Sequence, residues 1–234
     1  GQDQENLNFG NDIIDGPGFR TPGFWKSNLG QTFWNGVDGD AKTGDEFPLD
    51  DLLYSVDSNG DGVVNILDEF GLLLGDWNGN GVTDEGENTR FYTLDEALDA
   101  LEGDTGPGRK DAFAILERDA VAAWLNELAG NPFGTVDGDG ELEDAADVLD
   151  QAIQWLNKTE ADRPIWTKSE AWQDGVDLND DGILDLAAGS YLHETLDDVN
   201  NYGDMNGVDI GMDGDNWNEA HNQYYLSQVN IADF

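Results

Sequence analysis

The chain has 234 residues, with 51 acidic against 10 basic side chains and a formal charge of -41 at pH 7. Such a chain repels phosphate groups, which argues against nucleic acid and anionic membranes as partners. Only 38% of the residues are hydrophobic, yet eight Trp, ten Phe and six Tyr are too many for a disordered acidic chain. The absence of cysteine excludes disulfides, Cys-bound zinc and a thiol nucleophile. We therefore expect a folded protein with an aromatic core.

The acidic residues are mostly aspartate, with 36 Asp against 15 Glu. Aspartate disfavours helix interiors and, among Gly and Asn, is typical of turns and oxygen-ligand loops. This excess predicts loops that bind Ca²⁺. No apolar run approaches the roughly 18 residues that a membrane span needs. Because the N-terminus does not resemble a signal peptide, we expect a mature secreted protein or a segment of a longer one.

The first 49 residues are rich in proline and glycine and predict a long loop region, of which residues 1–19 are an extended flanking segment. Residues 20–234 are expected to form a single domain. Apolar residues at helical spacing predict seven helices, and residues 89–93 predict a strand. The predicted helices cover residues 49–56, 65–75, 93–103, 108–131, 141–159, 184–201 and 216–229. The predicted fold is mainly α, a compact helical domain with EF-hand-like calcium loops.

The strongest functional signal is a twelve-residue acidic segment, residues 57–68, which we call loop 1. In an EF-hand loop, alternate side chains of a tight turn converge on one calcium ion, and a glycine at position 6 permits the bend. Gly62 holds that position here. The predicted ligands, at positions 1, 3, 5, 7, 9 and 12, are Asp57, Asn59, Asp61, Val63 (through its carbonyl), Asn65 and Asp68. The alternative is an acidic turn that only caps a following helix.

Two further segments repeat this frame, namely loop 2 (residues 76–87) and loop 3 (residues 177–188). The predicted ligands of loop 2 are Asp76, Asn78, Asn80, Val82, Asp84 and Glu87. Because two asparagines replace acids, we expect loop 2 to bind calcium more weakly than a fully acidic loop. The predicted ligands of loop 3 are Asp177, Asn179, Asp181, Ile183 and Asp185. Ala188 stands where the closing carboxylate belongs, so that ligand must come from elsewhere or from water.

Two more acidic segments are weaker candidates. Residues 137–147 have Leu142 in place of the glycine, and their predicted ligands are Asp137, Asp139 and Glu141. Residues 203–215 depart from the frame, and their predicted ligands are Asp209, Asp213 and Asp215. In residues 38–46, Lys42 occupies position 5, where its charge would repel a cation, and we predict no site there. The sequence thus predicts two to four or more calcium ions.

The run from Asp57 to Asp68 resembles a dockerin half-repeat, Asp-x-Asn-x-Asp-Gly-x-Val-Asn-x-x-Asp, and a leucine run follows it. The resemblance covers about 30 residues. Loops 1 and 2 begin only 19 residues apart, which is too close for the paired loop–helix units of a dockerin or an EF-hand pair. We therefore expect one short helix to leave loop 1 and enter loop 2, and cohesin binding is not carried over.

A second resemblance spans most of the chain. The segments RTPGFWKSN (20–28), RDAVAAWLN (118–126) and TLDDVNN (195–201) are similar to those of a family of bacterial extracellular modules that open with a Thr-Pro-Gly-Phe-Trp-Lys motif. The segment GNDIIDG (10–16) resembles the flank of an RTX calcium repeat, as found in large secreted adhesins. These resemblances imply a module of a bacterial surface or secreted protein, with neighbouring domains in one chain. They imply no chemistry.

The sequence does not predict an enzyme. His193 and His221 lie in predicted helices, and no His-Glu-x-x-His, Gly-x-Ser-x-Gly or phosphate-binding glycine loop is present. Four tryptophans fall in predicted loops, where an exposed indole would stack on a sugar or clasp a peptide. They are Trp25, Trp34, Trp166 and Trp172. The alternative is that these side chains close the core.

The leading hypothesis is calcium binding that folds and rigidifies an extracellular, adhesin-like module. The alternative is a calcium-scaffolded module that binds a cell-surface glycan or a peptide through the loop tryptophans. A third hypothesis treats the acids as a halophilic surface without a specific ion, because even four Ca²⁺ ions would leave a large negative charge.

Overall fold

A computed structural model describes residues 18–37, 52–57, 60, 62–65, 68–103, 111–131, 133–134, 136, 142, 144–179, 181–205 and the backbone of 208–209. Within them, a three-stranded antiparallel sheet and four long helices surround one hydrophobic core. The core is aromatic, as the composition predicts. Its largest fully buried side chains include Phe19, Trp25, Trp34, Phe113, Trp124 and Trp155.

The described N-terminal segment enters this core through a short helix. Thr21 begins α1 (Pro22–Trp25) by accepting a hydrogen bond from the backbone amide of Phe24. A 3₁₀ turn follows over Gly30–Phe33. Gly30 has no room for a side chain, because a Cβ there would overlap the carbonyl of Phe24. The segment that the sequence predicts as a long loop therefore contributes packed core.

The sheet is a meander of β1 (Tyr54–Val56), β2 (Glu69–Leu74) and β3 (Arg90–Thr93), with β2 in the centre. All neighbouring strands are antiparallel. The last four residues of β2 are buried, as expected for a strand that is covered on both faces. The strand predicted at residues 89–93 is confirmed.

Two of the predicted helices are wrong where the structure describes them. Residues 65–75 contain β2, and residues 49–56 contain β1. A run of consecutive apolar residues such as Leu72–Leu74 is typical both of a central strand and of a buried helix. The spacing of these residues therefore does not distinguish a strand from a helix. Gly71 also favours the strand, because the backbone of Tyr92 on β3 approaches it closely.

The longer predicted helices are confirmed with shifts at their ends. They are α2 (Leu94–Glu102), α3 (Ala112–Leu128), α4 (Ala145–Thr159) and α6 (Gly189–Tyr202). The capping box predicted for α2 is present, with Thr93 and Glu96 bonding to each other's backbone amides. The remaining elements are a 3₁₀ turn (Glu160–Asp162), α5 (Glu170–Gln173), β4 (Asp204–Met205) and β5 (Val208–Asp209). The predicted helix 216–229 and most of the flanking segment 1–19 lie outside the described residues.

The prediction of a mainly α domain is therefore wrong, because the described residues form a mixed α/β fold. Two strands of the central sheet, β1 and β2, arise from segments whose apolar spacing resembles that of helices. As for membranes, none of the helices in the described part of the chain has the length and hydrophobicity needed to cross one.

A buried asparagine joins the three segments that resemble the bacterial module family. Asn126, at the end of RDAVAAWLN, accepts hydrogen bonds from the Arg20 amide at 2.8 Å and from the Trp25 indole at 3.2 Å. Its Nδ2 donates to the Arg20 carbonyl at 2.9 Å and to Asn200 Oδ1 at 2.8 Å. Asn200 belongs to TLDDVNN and donates in turn to the backbone carbonyl of Asp119. The three segments therefore meet at one polar centre inside the core.

Candidate functional site

The three predicted calcium loops connect antiparallel backbone segments. Loop 1 fills the turn between β1 and β2, and loop 2 fills the turn between β2 and β3. Loop 3 begins after Val176, whose backbone pairs with that of Leu186 in an isolated antiparallel bridge. The expectation that a helix leaves loop 1 and enters loop 2 is wrong, because that segment is β2.

The loops share one hydrogen-bond frame. In each, the Oδ2 atom of the first aspartate accepts the backbone N–H of the glycine at position 6. The N···O distances are 2.6 Å for Asp57–Gly62, 2.7 Å for Asp76–Gly81 and 2.7 Å for Asp177–Gly182. The three glycines have φ values of 83°, 76° and 88°. This left-handed backbone is accessible to glycine at little cost, and it makes the sharp bend that the sequence predicts.

Loops 2 and 3 share three further hydrogen bonds. The amide at position 5 donates to Oδ1 of the first aspartate, at 3.1 Å in loop 2 and 3.3 Å in loop 3. The amide at position 5 donates to the side-chain oxygen at position 3, at 3.0 Å in both loops. The amide at position 7 donates to the side-chain oxygen at position 5, at 2.7 Å in loop 2 and 2.8 Å in loop 3. These bonds fold alternate side-chain oxygens back over the turn, as a calcium loop requires.

In loop 2, two carboxylates converge on one point. Asn78 Nδ2 lies 2.8 Å from Asp84 Oδ2 and 3.0 Å from Glu87 Oε1. Asn80 Nδ2 lies 2.6 Å from the same Asp84 oxygen. The amide hydrogens are therefore the positive partners of both carboxylates. A calcium ion, with oxygen ligands at about 2.3–2.6 Å, would take over that role.

Burial makes the charge density of loop 2 costly. Asp76 is only 2% exposed. Burial, followed by the charges of Asp76 and Asp84, raises the pKa of Glu87. Burial together with the charge of Asp76 also raises the pKa of Tyr54. Both shifts have the direction expected where burial and neighbouring negative charge disfavour the ionised form.

Loop 1 turns its last predicted ligand inward. Asp68 Oδ2 accepts the Asn65 amide at 2.6 Å, and Asn65 Nδ2 donates to the Val63 carbonyl at 2.9 Å. The predicted ligands at positions 7, 9 and 12 are thus in contact with each other. Asn59 and Asp61, at positions 3 and 5, lie outside the described residues.

Loop 3 is fastened to α4. Lys158 Nζ donates to the Leu178 carbonyl at 3.0 Å, and the Leu178 amide donates to Asp185 Oδ2 at 2.7 Å. Asp185, predicted at position 9, therefore folds back to the start of the loop. Ala188, at position 12, precedes α6 and brings no carboxylate.

In the part of the chain that the structure describes, no three Asp, Glu or His side chains gather closely enough to hold a metal by themselves. An EF-hand frame also uses amide, backbone carbonyl and water oxygens. The weaker candidates Asp137, Asp139, Glu141, Asp213 and Asp215 lie outside the described residues. Asp209 is described in its backbone alone, which pairs with Asp204.

A cluster of ion pairs that no sequence motif indicates joins β3, α3 and the segment after α4. Arg90 makes two hydrogen bonds to Glu160, at 2.8 and 3.0 Å, and its Nε donates to the Tyr92 hydroxyl at 2.6 Å. That hydroxyl donates to Glu117 at 2.9 Å. The cluster and Arg163 line a groove of about 690 Å³. Because its members are mutually hydrogen-bonded and far apart in sequence, the cluster fastens these elements to one another.

His193 makes a contact that the sequence likewise does not indicate. Its Nδ1 lies 2.6 Å from Oδ2 of the fully buried Asp119, whose Oδ1 accepts a hydrogen bond from Arg118. The imidazole stacks on Trp172, with ring centroids 5.8 Å apart and an interplanar angle of 28°. His193 and Asp119 are 74 residues apart, so no local pattern reveals the pair.

The four candidate ligand-binding tryptophans divide into two groups. Trp25, Trp34 and Trp172 are buried, and the indole N–H groups of the first two bond to Asn126 and to the Trp25 carbonyl, respectively. These three side chains fill the core. Trp166 is 56% exposed and lies beside loop 3.

Comparison with known proteins adds no assignment: no protein-family model, curated protein or solved structure matches the chain.

Proposed function

We propose that the chain is an extracellular module that is folded and rigidified by Ca²⁺ in loops 1, 2 and 3. The observation that carries the proposal is the hydrogen bond from the position 6 glycine to the position 1 aspartate, which recurs in three separate loops. The alternative of a turn that caps a helix is not supported for loop 1, because the strand β2 follows it.

The charge of the chain supports the same proposal. With a formal charge of -41, the chain gains from any cation that it binds, and buried acids such as Asp76 gain most. Asp84 and Glu87 already share a positive partner in Asn78. A calcium ion would replace the Asn78 amide hydrogens as the positive partner and would carry a full charge. The side chain of Asn78 would then be free to coordinate through its oxygen.

The expected stabilisation is large. For a Kd on the order of 10⁻⁴ M in a medium with about 10⁻² M calcium, each ion stabilises the folded chain by roughly 2.7 kcal/mol. Two or three such ions amount to a large part of a typical free energy of unfolding of about 5–15 kcal/mol. A Kd of this order is typical of extracellular calcium modules. The sequence resemblances point to the same location, that of a bacterial surface or secreted adhesin-like protein.

Thermal unfolding tests the proposal. We expect a much higher Tm in about 10 mM CaCl₂ than in EDTA, with NaCl at matched ionic strength as the control for a halophilic surface. Asp84→Asn and Asp181→Asn should each weaken calcium binding at its own loop in calorimetric titrations, because an amide oxygen replaces a charged ligand. Asp99→Asn, which changes an exposed acid of α2, should leave calcium binding at all three loops unchanged. Coincident melting curves, or equal stabilisation by NaCl, would overturn the proposal.

A further inference from the structure

Trp166 borders a groove of about 510 Å³ that lies beside loop 3. The groove is formed by the end of α4, residues 162 and 164–166, the start of α5, residues 175–177 and Leu184. Trp166 is the most exposed tryptophan among the described residues, at 56%. An indole in that position offers a broad apolar face to a ligand.

The groove is rigid where a ligand would contact it. The carbonyl of Trp166 accepts the Ser169 amide at 2.8 Å, and its backbone pairs with that of Asp111. The preceding residue, Ile165, is held by its own amide, which donates to Asp111 Oδ1 at 2.9 Å. Across the groove, Lys158 of α4 fastens loop 3. A binding surface that is already ordered loses little entropy when it binds.

The polar rim of the groove consists mainly of hydrogen-bond acceptors. Asp162 and Glu170 line it together with Ser169 and a single cation, Lys158, while the carboxylate of Asp177 belongs to the frame of loop 3. A sugar ring complements this arrangement, because its C–H face packs on an indole and its hydroxyls donate to carboxylates. We propose that the groove binds a ring of a neutral glycan, stacked on Trp166.

Charge distinguishes a neutral glycan from anionic ligands and from cationic peptides. An anionic ligand would be repelled by a chain with a formal charge of -41. A cationic peptide would be attracted to the acids and repelled by Lys158, and its binding would weaken steeply with salt. A neutral glycan requires no ion pair, so its affinity should change little between low and physiological salt.

The inference rests on the proposed function through loop 3, because Asp177 and Leu184 form one wall of the groove. An ion in loop 3 would hold this wall in place. Asp181→Asn should therefore weaken glycan binding without abolishing it, whereas a change at Trp166 should leave calcium binding intact. The two proposals can thus fail separately.

The test is calorimetric titration of the calcium-loaded protein with neutral oligosaccharides, namely the hexamers of glucose, xylose, mannose and N-acetylglucosamine. We expect one of them to bind, with Trp166→Ala weakening it at least about tenfold and Trp166→Phe retaining part of the affinity. Tyr202→Ala, which removes an aromatic ring that is 55% exposed elsewhere, should leave binding within about twofold. Tm and calcium stoichiometry of each variant establish that it is folded.

Three outcomes would overturn the inference. The first is that none of the oligosaccharides binds while calcium is bound. The second is that Trp166→Ala and Tyr202→Ala weaken binding equally. The third is that the groove binds a lysine-rich peptide in place of the sugars, with an affinity that falls steeply with salt.

Discussion

The backbone amide of Asp57 donates a hydrogen bond to the carbonyl of Gly81 at 2.8 Å. Asp57 begins loop 1, and Gly81 makes the bend of loop 2, so the two loops are in direct contact. The amide of Gly81 is also bonded to Asp76. One residue of loop 2 therefore connects the first aspartates of both loops.

This contact predicts that loops 1 and 2 bind calcium cooperatively, because an ion that orders one loop also orders its neighbour. Asp84→Asn in loop 2 should weaken calcium binding at loop 1 as well, by at least about fivefold. Asp181→Asn in loop 3 is the matched control and should weaken binding at loop 3 with no effect on loop 1. Calcium titration of the three proteins measures this, and an unchanged affinity at loop 1 would contradict the coupling.

Glycine at position 6 should matter more in loop 2 than in loop 3. Both Gly81→Ala and Gly182→Ala put a side chain on left-handed backbone, at a cost of about 1–2 kcal/mol. A Cβ on Gly81 would also lie 2.5 Å from the Ser55 carbonyl and 3.0 Å from Val64, whereas one on Gly182 meets nothing within 4 Å. We therefore expect Gly81→Ala to cost about 2–4 kcal/mol in all. Urea denaturation in saturating calcium compares the free energies of unfolding of the two variants. Equal losses would refute the steric explanation for Gly81.

The two adjacent asparagines of TLDDVNN should differ in their contribution to stability. Asn200 is fully buried between Asn126 and the Asp119 carbonyl, so Asn200→Ala leaves buried groups without partners and should cost about 2–4 kcal/mol. Asn201 bonds only to the carbonyl of Asp197 within α6 among the described contacts, and Asn201→Ala should cost less than about 1 kcal/mol. Chemical denaturation of the pair measures the difference, and a reversed order would show that the buried centre is not stabilising.

His193 should make stability depend on pH. Burial and Arg118 lower the pKa of His193, but its hydrogen bond to Asp119 and the charges of Asp119 and Asp197 outweigh them, so the pKa is raised. The protonated ring therefore favours the folded state. Its contribution is fully present below the unfolded pKa of about 6.5 and is lost as pH rises through the higher folded pKa. His193→Gln should destabilise the protein below pH 6 and have less effect at pH 9.

Glu127 titrates in the same pH range, so its contribution to stability must be separated from that of His193. Burial raises the pKa of Glu127 to about 7, so its ionisation also destabilises the folded chain as pH rises. We therefore expect Glu127→Gln to stabilise the protein above pH 7. The stability of Glu127→Gln is compared, in saturating calcium, with that of the double variant that also carries His193→Gln. The difference isolates the contribution of His193. A pH-independent difference between them would disprove its role.

The sequence predicts the fold best where two independent signals coincide. Residues 93–103 combine helical spacing with a capping box and a terminal glycine, and α2 has all three. Residues 65–75 offer only apolar spacing, which β2 satisfies equally well. What makes this segment a strand is its pairing with β1 and β3, and no local pattern contains that information.

The same limit applies to the candidate site. The frames of the three loops can be read from the sequence because all the predicted ligands of each loop fall within twelve residues. The ion pair of Arg90 with Glu160 joins residues 70 positions apart. The groove beside Trp166 combines residues from several separate segments. Trp25 and Trp34 lie in a loop-like sequence, but Asn126 and the core hold them inside.

The stacked pair of His193 and Trp172 gives the molecule an intrinsic optical signal. A protonated imidazole in contact with an indole quenches its fluorescence, and the neutral ring does so far less. The emission of Trp172, one of eight tryptophans, should therefore increase as the solution becomes alkaline, and the part of that increase that His193→Gln abolishes reports the protonation of His193. No dye or isotope is needed, and the same cuvette can follow protonation and unfolding together.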